Sequence, residues 1–160
     1  MNTLEYAMKM ENEGEAFYLE QADKYEGQLK KVFTILAHDE KIHAEIIKSK
    51  MENMTFELKD SHTLKESKSI FKDSKQFHSE YKVHMDQLDV YRLALAKEKE
   101  SIDLYSEFLE KAVSEEEKAL YKFLINQEQE HFRVLEDIII LVNRPNDWVE
   151  SAEFGIRKEY

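Results

Sequence analysis

Cysteine is absent from the 160-residue chain. That excludes disulfides, zinc–thiolate and iron–thiolate sites, and thiol redox chemistry. There are only three glycines and one proline, so tight turns are few and long helices are favoured. Runs of β-branched residues bounded by turn residues are also lacking, and the fold class reads as all-α. The most apolar run, Ile138 to Val142, falls far short of the ~20 residues that span a bilayer. Residues 1–20 are charged throughout, unlike a signal peptide, which makes a cytoplasmic location the expectation. No basic patch is present. With 34 acidic against 23 basic side chains and a net charge of −11, the surface repels phosphate. Neither nucleic acid nor a membrane is expected as a partner.

The length suits one domain, residues 1–160, with a core of its own. Helix A is read over residues 3–25, where Leu4, Ala7, Met8, Glu11, Gly14, Tyr18 and Ala22 recur in steps of three and four. Gly27 breaks it. Helix B, 29–52, turns Val32, Phe33, Leu36, Glu40, His43, Ile46 and Ile47 inward. Residues 53–84 are polar and Lys- and Ser-rich, and read as a crossover with a short helix near 64–78. Helix C, 85–112, carries Leu88, Tyr91, Ala94, Leu95, Glu98, Tyr105 and Leu109 on its stripe. Ser114 caps helix D, its first turn is acidic at Glu115 to Glu117, and its stripe holds Leu120, Leu124, Glu128, His131, Leu135 and Ile138. Pro145 is expected to end it, since proline lacks an N–H and clashes with the preceding turn. Residues 143–160 then form a short tail whose Trp148 and Phe154 dock on the bundle. Short A–B and C–D turns make two antiparallel pairs, about residues 3–52 and 85–141. The B–C connection is long enough to recross a helix of this length at 1.5 Å per residue. The architecture is a four-helix bundle with one long crossover, the ferritin-like connectivity.

The polar residues on these apolar stripes repeat. Glu40-x-x-His43 returns as Glu128-x-x-His131, an offset of 88, and each is preceded by a lone glutamate, Glu11 and Glu98, offset by 87. Residues three apart on a helix lie one turn apart on one face, so each Glu-x-x-His can reach a single metal region. Chance alone supplies about one such spacing in a chain this rich in glutamate; a second copy in register is another matter. Phe33, Leu36, Glu40 and His43 align with Tyr121, Leu124, Glu128 and His131, and Ala7, Glu11 and Tyr18 with Ala94, Glu98 and Tyr105. Two lone glutamates plus two Glu-x-x-His match the known ligand pattern of di-iron and di-manganese bundles. Four buried carboxylates alone would repel and take up protons, whereas two divalent ions balance them and leave the imidazoles neutral. Oxygen-rich ligation with one nitrogen per metal suits iron or manganese better than zinc or copper. The expected bridges are Glu40 and Glu128, with Glu11 and His43 completing one metal and Glu98 and His131 the other.

On these residues the chain resembles the rubrerythrin-like branch of the ferritin-like superfamily. The likeness rests on Glu11-x-x-Gly14-x-x-Phe17-Tyr18, Leu36-Ala37-x-Asp39-Glu40-x-x-His43, Glu98 with Tyr105, and Glu128-x-x-His131. It covers residues 1–142, and the Trp148–Phe154 tail is similar too. The resemblance implies two iron ions in a non-haem centre that reacts with hydrogen peroxide or dioxygen, often in a homodimer, with manganese as an alternative metal. Two departures stand out. Ser101 occupies the place of a further glutamate usual in such proteins, and Gly14 is its symmetric counterpart, so the six-residue set is closer to that of bacterioferritin. The rubredoxin-like iron domain is missing, so electrons must come from a separate protein such as a rubredoxin, or from substrate iron. Rival expectations are a ferroxidase or iron-handling protein, and a metal-containing structural bundle with residues 53–83 as its partner surface.

Other residues read two ways. Tyr18 and Tyr105 sit two turns beyond their glutamates and either hydrogen-bond the centre or fill the core. Gly14 offers room beside the metals for an oxidant. Asp39 and Gln127 precede the bridging glutamates; they can orient a ligand histidine through its second nitrogen, although the favoured reading is solvent exposure. His38, His62, His78 and His84 have no ligand spacing and read as surface residues. Met8, Met10, Met51, Met54 and Met85 read as core filler.

Overall fold

The computed structural model describes residues 2–72 and 88–154, and side chains within 2–72 and 88–142. Among them there is no strand. The described residues form five helices in order: α1 (Thr3–Lys24), α2 (Gln28–Met51), α3 (Thr63–Lys72), α4 (Leu88–Lys111) and α5 (Glu115–Phe154). The long helices are the expected A, B, C and D, arranged as a ferritin-like helical bundle. The expected short helix is present as α3; its predicted continuation to residue 78 lies outside the described residues, as do Phe77, His78, His84 and Met85.

Local chemistry sets the boundaries. Asn2 and Glu5 form a reciprocal capping box at the start of α1. Gly27 precedes α2 with φ 80°, a left-handed conformation that glycine adopts without steric cost. Ser114 Oγ accepts from Glu117 N at 3.1 Å, as its sequence position predicts. Pro145 does not end α5, which runs on to Phe154. Proline deletes one backbone bond, but extending a helix that is already formed avoids a new nucleation cost, so the chain passes through it. Residues 146–154 therefore extend α5 instead of forming a separate tail.

α1 packs on α2, and α4 on α5, as two hairpins, while α3 lies across α2 and α5. The apolar core falls into two parts. One gathers Ala22, Leu29, Val32, Phe33, Leu36, Tyr91, Leu135 and Ile138; the other gathers Ala7, Ile46, Ile47, Leu120 and Leu124. Each large side chain fully buried there contributes about 1.5–3 kcal/mol. Between the two parts runs a buried belt of Glu11, Glu40, His43, Glu98, Glu128 and His131. Apolar packing above and below holds this belt in place against the cost of burying charge.

Candidate metal centre

Glu11 comes from α1, Glu40 and His43 from α2, Glu98 from α4, and Glu128 and His131 from α5. All six residues expected from the sequence converge. Donor atoms of Glu11, Glu40, His43 and Glu128 lie within 4.8 Å of one another, and so do those of Glu40, Glu98, Glu128 and His131. Glu40 and Glu128 belong to both groups, the geometry that bridging carboxylates require. His43 Nδ1 approaches Glu128 Oε1 at 2.9 Å and Glu11 Oε2 at 3.3 Å. His131 Nδ1 approaches Glu40 Oε1 at 2.7 Å and Glu98 Oε1 at 3.5 Å. The two imidazoles face each other with centroids 5.7 Å apart.

The belt is polar but poorly satisfied. Glu40 Oε1, Glu98 Oε2, Glu128 Oε1 and His131 Nδ1 are buried without a hydrogen-bond partner, so the 2.7 and 2.9 Å contacts lack hydrogen-bond alignment. Orphaned donor atoms aimed at a common point are costly in a plain core and are what a cation would satisfy. The residues present therefore fit a pair of metal ions.

Burial and mutual repulsion shift the titration of these groups. Burial, together with the charges of Glu11 and Glu98, holds the Glu40 carboxyl well above its usual range. Glu128 is raised likewise by burial and by Glu11, Glu40 and Glu98. Burial also pushes Glu11 up, but His43 and hydrogen bonds from Glu40, His43 and Tyr105 outweigh it, leaving Glu11 at about 2. Glu98 is lowered in the same way, burial being outweighed by Glu128, His131 and Tyr18. The four carboxyls thus titrate as one coupled group, with Glu40 and Glu128 raised and Glu11 and Glu98 lowered. Burial opposes charge on His131, yet Glu98, Asp39 and Glu128 raise it well above its usual value.

Tyr18 Oη donates to Glu98 Oε1 at 2.6 Å, and Tyr105 Oη to Glu11 Oε1 at 2.7 Å. Each tyrosine holds the lone glutamate of the opposite hairpin. Burial first, then the neighbouring glutamates, push both phenols well above their usual value, so both stay protonated donors.

Asp39 and Gln127 correct the favoured expectation of solvent exposure: they are only 2% and 3% exposed. His131 Nε2 meets Asp39 Oδ2 at 2.9 Å, and His43 Nε2 meets Gln127 Oε1 at 3.3 Å. Each hairpin's motif therefore orients the histidine of the other hairpin. Burial alone would raise the Asp39 carboxyl; hydrogen bonding and charge from His131, with the hydroxyl of Thr63, lower it overall, so it stays ionised. Ser61 and Thr63, on the crossover just before and at the start of α3, complete this layer. Sequence reasoning missed both; the Asp60–Thr63 stretch reads only as a polar helix start.

Among the described residues, the opposite side is open. A cavity of about 240 Å³ lies between α1 and α4, lined by Tyr6, Phe17, Leu93 and Ser101, and reaches Glu40, Glu98 and Glu128. Ser101 Oγ donates to its own helix at Lys97 O, 3.2 Å away. Gly14 lines that cavity beside Glu40, and a Cβ built there would lie 2.7 Å from Glu40 Oε2. Of the remaining histidines, His38 is exposed and His62 pairs loosely with Asp60 at 3.8 Å on the surface. Met8 and Met51 pack on the core, whereas Met54 is 61% exposed and fills nothing.

An all-α bundle of two hairpins enclosing carboxylates and imidazoles able to hold metal defines the class as a ferritin-like metal-site protein. The family model described as Rubrerythrin matches residues 2–139, and the chain belongs to that family. Searches of curated proteins and of solved structures returned no match. No helix among the described residues is long and apolar enough to cross a membrane.

Proposed function

We propose that the chain is a non-haem di-iron oxidoreductase that acts on hydrogen peroxide or dioxygen. The ligands are Glu11, Glu40, His43 and Glu128 for one ion and Glu40, Glu98, Glu128 and His131 for the other. The carrying observation is that the two donor groups share Glu40 and Glu128 beside a cavity that reaches both shared residues. Bound there, a pair of iron ions supplies the two electrons that cleave an O–O bond.

The chain's own residues supply the rest. Burial and the neighbouring carboxylates raise Glu40 and Glu128, and a bound metal would favour their deprotonated form. Tyr18 and Tyr105 hold Glu98 and Glu11 in place from across the bundle. The α2–α5 side is closed by the crossover, so a small oxidant enters from the α1–α4 side, past Ser101. Peroxide reduction takes two electrons and two protons per molecule and yields two waters. No cysteine among these 160 residues offers a thiol reductant, and the proposed electron source is a rubredoxin-type donor.

The test is elemental analysis of the purified protein, then stopped-flow spectra of its reduced form mixed with peroxide and with oxygen. About two irons per chain and rapid oxidation by one of the oxidants are expected, and Glu98→Ala should abolish that oxidation. Retained turnover in Glu98→Ala overturns the site assignment. Iron that is oxidised and then released, without repeated turnover on an external donor, points to ferroxidase or iron handling.

A further inference from the structure

The two halves of the centre are near copies, and the ligand types are equal: three glutamates and one histidine for each position. Besides Gly14 and Ser101, a buried difference lies one residue before each shared glutamate, where α2 has Asp39 and α5 has Gln127. Both side chains are buried, and each meets the Nε2 of one histidine. An anion therefore stands behind His131 and a neutral amide behind His43.

Hydrogen bonds with the crossover fix both partners as acceptors. Gln127 Nε2 donates to Asp60 Oδ1 at 3.3 Å, which turns its Oε1 toward His43. Ser61 Oγ lies 3.1 Å from that Oε1, 3.2 Å from Asp39 Oδ2 and 2.8 Å from Thr63 Oγ1. Thr63 donates to Asp39, and the single Ser61 proton is shared among Thr63 Oγ1, Gln127 Oε1 and Asp39 Oδ2. Both histidines must then donate from Nε2, and Nδ1 is the nitrogen each turns toward the carboxylates. Asp60 does not restore the balance, because its side chain is 55% exposed and water screens its charge, whereas that of Asp39 acts from inside the protein.

We propose that the two metal positions are inequivalent: the His131 position takes the first and more tightly held ion because Asp39 stands behind it, with Ser61 and Thr63 as positioning residues. The inference rests on the metal reading above. A buried carboxylate behind an imidazole makes it a better donor to a cation, and losing such a partner costs about 10–100-fold in metal affinity.

The experiment is a calorimetric titration of the metal-free protein with cobalt(II), with NMR resonances followed by residue. Two steps separated by about tenfold or more are expected, with the first equivalent broadening signals near Asp39 and His131. Asp39→Asn keeps an acceptor but removes the charge; it should weaken the first step about 10–100-fold and leave the second nearly unchanged. Gln127→Glu approaches from the other side and should tighten the second step, keeping the test available if Asp39→Asn does not fold. Two equal steps, or a separation that survives Asp39→Asn, overturns the proposal while leaving a two-metal centre intact. No cobalt binding at all overturns both.

Discussion

Tyr105 donates its hydroxyl to Glu11 Oε1 at 2.7 Å, joining α4 to α1 across the centre of the bundle. This decides between the two readings of the tyrosine. A core filler would tolerate phenylalanine, which keeps the ring. A donor to a buried, ionised carboxylate would not, since hydrogen bonds to charged groups are worth about 1.5–3 kcal/mol. Tyr105→Phe should therefore destabilise the metal-free protein at neutral pH by about 2 kcal/mol in denaturant unfolding. A change of only a few tenths would return Tyr105 to the filler role. Tyr18→Phe should behave alike through Glu98.

The metal-free protein should lose stability as pH rises from about 5 to 8. Glu40, Glu128 and His131 have folded values raised above their unfolded ones. Between those values the folded chain binds more protons than the unfolded chain, so stability falls with rising pH. Their contribution is complete below 4.5 for the glutamates and below 6.5 for the histidine, and is lost as pH passes each folded value. Glu11, Glu98 and Asp39 are lowered; their contribution is present above 4.5 and 3.8 and is lost as pH falls further. Stability should peak near pH 5. Metal reverses the upper limb, because its ligands must be deprotonated to bind. Melting temperatures at several pH values, with and without iron(II), should show a gap that widens with pH. A metal-free protein more stable at pH 8 than at pH 5 would contradict this balance.

The sequence carried the helices and the six metal-facing residues because both obey a period. Glu11, Glu40, Glu98 and Glu128 interrupt apolar stripes, and the second hairpin repeats the first. Asp39 and Gln127 lie off those stripes, so their polarity read as solvent exposure. What buries them is the crossover, a segment with no period, whose Ser61 and Thr63 are ordinary helix-start residues until the chain lays them beneath two histidines. Pro145 misled for a related reason: the rule that proline ends a helix describes a local cost, and a long helix already formed can absorb it.

Gly14 provides the sharpest separation of fold from site. It lies inside α1, where alanine is favoured over glycine by about 0.5–1 kcal/mol. Its Cβ, however, would meet Glu40 Oε2 at 2.7 Å and Cδ at 3.2 Å. The colliding group is the end of a flexible side chain, so the helix keeps its path and the carboxylate moves. Gly14→Ala should leave the metal-free protein as stable as the parent or slightly more so. Metal affinity should fall by at least about tenfold, the effect expected when a ligand is displaced from its position. Thermal unfolding of the metal-free form and a cobalt(II) titration, run side by side, check the two halves. Unchanged affinity would mean that Glu40 does not ligate from the position it occupies over Gly14.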